Sequence, residues 1–376
     1  MLQFPSPRNT WRLDIVSILA VLGESNIKVN AHLITASPTC LLPRLMPAPQ
    51  GLLAEKRIKR LPLEDDVLTC IGIYSGNERA GLNYFATIFH GTGMQSEPYS
   101  VRELTIRELK SSDGSAALSE HLRPRWASPT NIIAIISCAI SIGLLIWAAL
   151  LRDGVAVVGI IIMSSTAPVL CAGARYKLPK LRLALMSRDG DVVFRTRDGI
   201  FTVIHCTESI ARLLYFSPEA PEFSMNIYAN RLSGGVVGGL MLIVSITLFG
   251  NCTWTMQAAL SVTYALLNVL YWVAAVLPER YSWDFSNLEI SEKHTFFNAN
   301  FAEGLWVAIQ RSGSIDWVRA SRSVPDTPVW SKWLLEADQR LQSNSKDWQP
   351  RKAFEDLSSS HRVEKPRAVW KLPESV

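Results

Sequence analysis

Charge is scarce in this chain. Only 19% of its 376 residues are Asp, Glu, Lys or Arg, against about 25% in a soluble globular domain. The shortage points to apolar segments that never meet water, and it excludes a disordered or collagen-like chain. No P-loop, GxGxxG, HExxH, GxSxG or CxxC pair occurs anywhere, so the familiar sequence signatures of nucleotide, zinc-protease, hydrolase and thiol-redox chemistry are missing. The net charge of +5 is small and spread along the chain, without the dense basic stripe that nucleic acid requires. Near the start, the apolar run Ile15–Leu22 is only eight residues long and is flanked by Arg12, Asp14 and Glu24. It lacks the basic region and cleavage site of a signal peptide and reads as a buried helix.

Long uncharged apolar segments are what the sequence does have. A helix needs about 20 apolar residues to cross a hydrocarbon core of roughly 30 Å. Four segments are candidates: Asn131–Leu151, Gly154–Ala174, Gly234–Trp254 and Met256–Leu277, none of which contains a charge. The first holds seven Ile and four Leu, which favour the bilayer by about 5 kcal/mol at roughly 0.5 kcal/mol each. The expectation is two transmembrane hairpins. Arg123 and Arg125 precede the first segment, and Arg175, Lys177, Lys180, Arg182 and Arg188 follow the second, whereas the opposite turns hold only Arg152. The positive-inside rule then puts both termini in the cytosol. Cys138 and Cys171 fall in spans and Cys40, Cys70 and Cys206 in cytosolic regions, where reducing conditions keep thiols free. Asn251-Cys252-Thr253 matches a glycosylation pattern but abuts the hydrocarbon.

With no ionisable group inside the spans, an ion-coupled carrier lacks the intramembrane partner it needs. The polar residues there, among them Ser137, Ser141, Ser164 and Asn268, suit helix association. Gly234 with Gly238, and Gly235 with Gly239, form two overlapping GxxxG pairs that permit close helix packing, within the chain or between copies. Pro168 predicts a kink in the second span, with Ser164 near the freed backbone groups.

The soluble regions are less regular. Residues 1 to 60 are proline-rich, with Pro43, Pro47 and Pro49, and predict no long element. Pro62 with Glu64, Asp65 and Asp66 reads as a helix start, and Asn77 as the cap of a helix running to His90. Asp189-Gly190 and Asp198-Gly199 mark turns, which predicts a three-stranded meander over Leu181–Met186, Asp191–Thr196 and Ile200–His205. His205 and Cys206 are adjacent, so in a strand they point to opposite faces and do not pair as base and thiol nucleophile. Thr207 caps a helix with Ile210, Leu213 and Leu214 on one face. Thr327-Pro328 opens another through Gln342, with Trp330, Trp333, Leu334, Ala337 and Leu341 on one face. Together with Trp283, Trp306 and Trp317, this segment either lies on the cytosolic leaflet or packs against the soluble regions.

Three strings carry a resemblance: LPLEDD (Leu61–Asp66), GNERAGLNYFATIFHG (Gly76–Gly91) and the run holding Asp189 and Asp198, RDGDVVFRTRDG. Through them the chain, over about Leu13–Leu341, resembles multi-pass membrane proteins of filamentous fungi. The resemblance implies a fungal membrane protein, with no activity and no site residue to carry over.

The fold class expected is therefore a membrane all-α protein, four transmembrane helices in two hairpins, with cytosolic α+β regions that include the meander and a helix. The organisation read from the chain is a cytosolic region at 1–128, hairpins at 131–174 and 234–277, an α+β insert at 175–233, a Trp-rich helical segment at 278–342 and a disordered tail at 343–376. The sequence offers no catalytic, cofactor-binding or metal-binding residue. Its expected partners are the lipid bilayer, another copy through Gly234, Gly235, Gly238 and Gly239, and a cytosolic protein, with no nucleic acid. The leading functional reading is a membrane-anchored binding or scaffolding protein. An oligomeric channel or solute transporter is the alternative, and a membrane-tethered enzyme built on Asp65, Asp66 and His90 is a third.

Overall fold

The structure, a computed structural model, describes residues 22–53, 69–90, 97–109, 122–174, 176–177, 189–196, 198–217, 222–223, 227–343 and 348–364. In chain order the helices are α1 (Glu24–Ala36), α2 (Tyr84–His90), α3 (Pro129–Leu150), α4 (Gly154–Gly173), α5 (Glu208–Ala211, continuing as a π-helical turn over Arg212–Phe216), α6 (Ile227–Phe249), α7 (Trp254–Val276), α8 (Phe301–Ser312), α9 (Asp316–Ala320), α10 (Pro328–Gln342) and α11 (Pro350–Glu364). The strands are β1 (Thr69–Gly72), β2 (Glu78–Ala80), β3 (Val101–Glu108), β4 (Tyr176–Lys177), β5 (Val192–Arg195), β6 (Phe201–His205), β7 (Glu222–Phe223) and β8 (Leu288–Phe296). They form two compact units: residues 1–59, 117–180 and 218–285, and residues 60–116, 181–217 and 286–376.

The first unit is a helix bundle. Among the described residues, helices α3, α4 and α7 are long and apolar enough to cross a membrane, and this count of three corrects the expectation of a four-span fold. The reason lies in α6. Its apolar stretch runs only from Gly234 to Phe249, because Gly250 to Thr253 are already the turn into α7. Helix α6 still packs along α4. Gly238 lies against Leu170 and Gly234 against Gly173, while a Cβ added at Gly239 would meet open space. Gly234 and Gly238 thus serve packing inside the chain. At the far end Asp153 ties two turns together: it caps α4 by accepting from Ala156 N at 3.0 Å and also accepts from Thr253 N at 2.7 Å. Helix α1 overturns the expectation of irregular structure before residue 60. It packs on α7, and His32 stacks on the fully buried Trp283.

The second unit is built on a six-stranded mixed sheet, ordered β2-β1-β5-β6-β3-β8. The three-stranded antiparallel meander is thereby corrected. Strands β5 and β6 do pair antiparallel, but Leu181–Met186 lies outside the described residues, and the flanks of the pair are taken by β1 and by β3, which runs parallel to β6. Nearly every residue of β5 and β6 is buried, as befits strands covered on both faces. Of the two Asp-Gly pairs only the second is a hairpin turn, with Gly199 at φ +71°. Gly190 instead extends the ladder, donating its N–H to Cys206 O at 2.8 Å. The helix expected from Asn77 is also corrected: residues 78–80 form β2, Gly81 turns the chain at φ +78°, and only Tyr84–His90 is helical. Pro62, Glu64, Asp65 and Asp66 fall outside the described residues.

One face of this sheet, with Ile71, Val101, Val193, Phe201 and Val203, packs on α8, α9 and α10 through Leu305, Ile309, Trp317 and Trp333. Of the two places read for the tryptophan-rich segment, the membrane surface or the soluble regions, the structure has the second: Trp306, Trp317 and Trp333 are core residues. The tail contributes too, contrary to the disorder its polar composition suggests: Trp348 meets the rings of Trp306 at 4.6 Å and Trp333 at 5.2 Å, and Phe354 meets Trp330 at 4.5 Å. Two or three aromatic anchors suffice to dock α11. All six cysteines are free. Trp333→Ala removes a fully buried ring and the bond from its Nε1 to Pro350 O, so it should cost this unit about 3–5 kcal/mol. The measure is faster proteolysis of the α8–α11 region, with Trp333→Phe losing less.

Candidate functional site

Two constellations stand out, one in each unit. In the bundle, residues Ser37–Leu53 leave helix α1 and run irregularly among the long helices. Buried backbone of this kind must find a partner for every N–H and C=O, since neither water nor lipid supplies one. The sequence LPRLMPAP (Leu42–Pro49) lowers that demand at once, because Pro43, Pro47 and Pro49 carry no N–H. Two of the remaining donors are met by the helices. Arg44 N donates to Ser164 O at 3.0 Å and Leu45 N to Ser141 Oγ at 2.9 Å. Ser137 Oγ donates to Leu45 O, and Ser141 Oγ to Ser137 O at 2.7 Å.

The Ser164 carbonyl is free for this purpose because the residue four positions on, its normal helical donor, is Pro168. A proline inside α4 thus opens an acceptor for the inserted segment. The segment is anchored at its start by Asn131 near the beginning of α3: Asn131 Oδ1 accepts from the hydroxyls of Ser37 and Thr39, and its Nδ2 donates to Arg125 O at 3.0 Å. Leu45, Met46 and Ala48 are fully enclosed.

Arg44 enters with this segment and is 1% exposed. Its Nη1 donates to Thr39 O at 2.7 Å and Leu42 O at 3.3 Å, while its Nε has no partner. Tyr271 on α7 and Cys171 on α4 lie beside the guanidinium, the Tyr271 hydroxyl within hydrogen-bonding reach of it. Among the described residues no carboxylate pairs with Arg44. Sequence reading missed this residue by looking for ionisable groups only within the apolar segments. The available signal was a single cation in an otherwise apolar, proline-punctuated stretch.

In the sheet, Glu103 on β3 and His205 on β6 continue the face that α8 covers. Glu103 is 6% exposed and meets three basic side chains: Lys293 Nζ at 3.2 Å, His205 Nε2 at 3.5 Å and Arg311 Nη1 at 3.6 Å. A bulge in the β3–β8 ladder between Glu103 and Leu104 inserts Lys293 as the extra residue and brings its ammonium to Glu103. On its other side His205 Nδ1 meets Asp191 Oδ2 at 2.8 Å, and Asp191 Oδ1 accepts from Cys206 N at 3.2 Å. The imidazole is held between two carboxylates, an arrangement that fixes its orientation. Its neighbour Cys206 points elsewhere, donating to Gly190 O at 3.3 Å. Burial, aided by Asp191 and Glu208, pushes that thiol up, so no thiolate is available as a nucleophile.

His90, a residue of the enzyme reading, sits in the opposite face's aromatic core. It bonds Tyr215 Oη at 2.9 Å and touches Phe194 edge-on. Burial first, and the charge of Arg102 second, bring its pKa down to about 4. Asp65 and Asp66 lie outside the described residues, so that reading keeps no assembled site. Among the described residues no group of three or more His, Cys, Asp or Glu is placed to hold a metal ion. No protein-family model, curated protein or solved structure matches the chain.

Two outcomes follow from this geometry. His90 is neutral when folded but takes up a proton near pH 6.5 when unfolded, so its contribution to stability is present above pH 6.5 and declines as pH falls toward 4. Denaturation midpoints at pH 7 and pH 5 should therefore drop less for His90→Gln than for the native chain. Gly190→Ala would drive a Cβ into the backbone of Glu208. It should spread the β5–β6 ladder and break the Asp191–His205 contact, which a changed His205 imidazole signal would report.

Proposed function

We propose that this is a multi-pass membrane protein that works as a membrane-anchored binding or scaffolding protein, with both termini and the sheet-forming segments on the cytosolic side. The observation that carries the reading is the sheet's composition. Its strands come from three stretches of chain, β1–β3, β5–β6 and β8, separated by the apolar helices. Strands that hydrogen-bond to one another share one side of a membrane, which requires the chain between β3 and β5 to return to the side it left. Helices α3 and α4 form one such excursion, and the basic residues that flank it, Arg123, Arg125 and Arg175 among them, favour the cytosol for its ends.

The binding surface in this reading is the β3–β8 end of the sheet. Strand β8 is an edge strand with most of its residues exposed, and it adjoins the Glu103–His205–Asp191 cluster, which offers donors and acceptors together. Charges and a bulge keep such an edge from pairing indiscriminately. A second copy has the Gly235 and Gly239 side of α6 available for self-association, since Gly239 is uncovered. Solute transport is the second reading, favoured by the inserted Ser37–Leu53 segment, because irregular backbone at membrane depth is tolerated where it is enclosed by protein or lines a pathway.

Single cysteines placed next to β2, next to α5 and after α11 should all resist an impermeant maleimide in intact cells and react once the membrane is opened. Labelling of any one of them from outside overturns the topology. The purified protein in liposomes should pass no ion or solute selectively, and robust selective flux would transfer the assignment to transport.

A further inference from the structure

Where α3 begins and α7 stops, the two segments of chain form a short antiparallel ribbon. Arg125 N donates to Ser282 O at 2.8 Å and Asp284 N to Arg123 O at 3.0 Å, around the bridged pair Pro124 and Trp283. Both members of that pair are buried, which turns Arg123 and Arg125 outward, because alternate residues of an extended segment share a face. The corner beyond them is fixed by the start of α3. Ser128 N and Asn131 Nδ2 each donate to Arg125 O at 3.0 Å, and Asn131 Nδ2 reaches Trp126 O at 3.3 Å. Trp126 is held on this corner 71% exposed, and next along the other segment Tyr281 is 56% exposed, with Arg280 exposed beside it in sequence. Rings of this size are seldom presented to water on a fixed backbone, whereas an interface that is apolar on one side and wet on the other suits them.

The geometry points to a binding strip for the headgroups of anionic phospholipid, in which Arg125 and Arg280 meet the lipid phosphate while the rings of Trp126 and Tyr281 lie at headgroup level. It rests on the membrane reading proposed for the chain and adds the class of lipid and the residues that select it. The level is right for a headgroup. Helix α7 is 23 residues long, about 35 Å at 1.5 Å per residue, and its first residue, Trp254, is exposed at the far end. Exposed aromatic rings therefore stand at both ends of a span slightly longer than the roughly 30 Å of hydrocarbon, the positions that interfacial Trp and Tyr take. The charge is one-sided. Turns 151–153 and 250–253 at the far end hold Arg152 beside Asp153, whereas the ribbon end holds Arg123, Arg125 and Arg280 with Glu279 and Asp284. Asp284 stands opposite Arg123 in the ribbon and Glu279 is half-buried, so the outward positive charge gathers at Arg125 and Arg280. A guanidinium offers a phosphate two parallel donors, and an anionic leaflet attracts it more than a zwitterionic one, whose headgroups carry their own cation.

The test uses the full chain reconstituted in phosphatidylcholine liposomes that contain the same minor fraction of either brominated phosphatidylserine or brominated phosphatidylcholine. Bromine quenches nearby tryptophan, and the emission lost in Trp126→Phe isolates the contribution of Trp126. That contribution should show a preference of about fivefold for the brominated phosphatidylserine, the worth of one cation at an anionic leaflet. Arg125→Gln should remove most of the preference, and Arg152→Gln at the far end should leave it unchanged. The bonds that hold the corner run through the Arg125 carbonyl, so the substitution leaves them in place. Equal quenching by the two brominated lipids overturns the proposal, as does a native preference in the double variant Arg125→Gln, Arg280→Gln. Release of the chain from the liposomes by alkaline carbonate overturns the membrane reading and the strip together, whereas retention without lipid preference overturns the strip alone.

Discussion

Backbone hydrogen bonding inside an apolar bundle is the constraint from which most of this structure follows. Helices satisfy their own N–H and C=O groups, so α3, α4 and α7 demand nothing of their surroundings except apolar contact. The segment from Ser37 to Leu53 makes the opposite demand, and it is admitted because both sides yield. The segment gives up donors at four prolines, Pro38, Pro43, Pro47 and Pro49, and helix α4 gives up one hydrogen bond at Pro168. The carbonyl released by Pro168 and the hydroxyl of Ser141 accept the two N–H groups of Arg44 and Leu45. Replacing Pro168 by a residue with an N–H would offer Ser164 O a competing partner from within its own helix. The inserted segment and the kinked helix are therefore one device.

A second constraint governs the sheet. Strand β3 lies between β6, about a hundred residues later in the chain, and β8, later still. None of the three stretches that build the sheet can close a core alone, since two or three strands with one face covered are marginal. The helical excursions between them consequently act as long loops whose ends the sheet pins together. The aromatic cluster of Trp306, Trp317, Trp333 and Trp348 then covers one face, and the shorter helices α2 and α5 support the other through His90, Tyr215 and Phe194.

What could be read from the sequence was whatever is local. The apolar helices α3, α4 and α7, the cap of Thr327 on α10, the opposite orientation of His205 and Cys206 and the turn at Gly199 depend on neighbours a few residues apart. The reading failed where distant segments decide. Nothing in Glu78–Ala80 alone says that β1 will recruit it as a strand in place of the first turn of a helix. The serines of α3 were legible as polar residues but not as the mooring of Leu45. The polar tail was judged by composition, and its order depends on Trp348 and Phe354 finding rings on α8 and α10. For α6, apolarity was read correctly and length was not, because the chain turns at Gly250 while the residues beyond it are still largely uncharged.

Of the four buried charged residues among those described, Asp153, Glu103 and Arg44 show how differently the chain treats charge. Asp153 is compensated by two backbone N–H groups, one of them at a helix start where the dipole favours an anion. Glu103 is surrounded by Lys293, His205 and Arg311 within 3.6 Å, close to the surface where the remaining polarity is met by water. Arg44 has carbonyls on one side and the Tyr271 hydroxyl beside it. Carbonyls orient a cation but carry no net charge, so they reduce its desolvation cost without removing it.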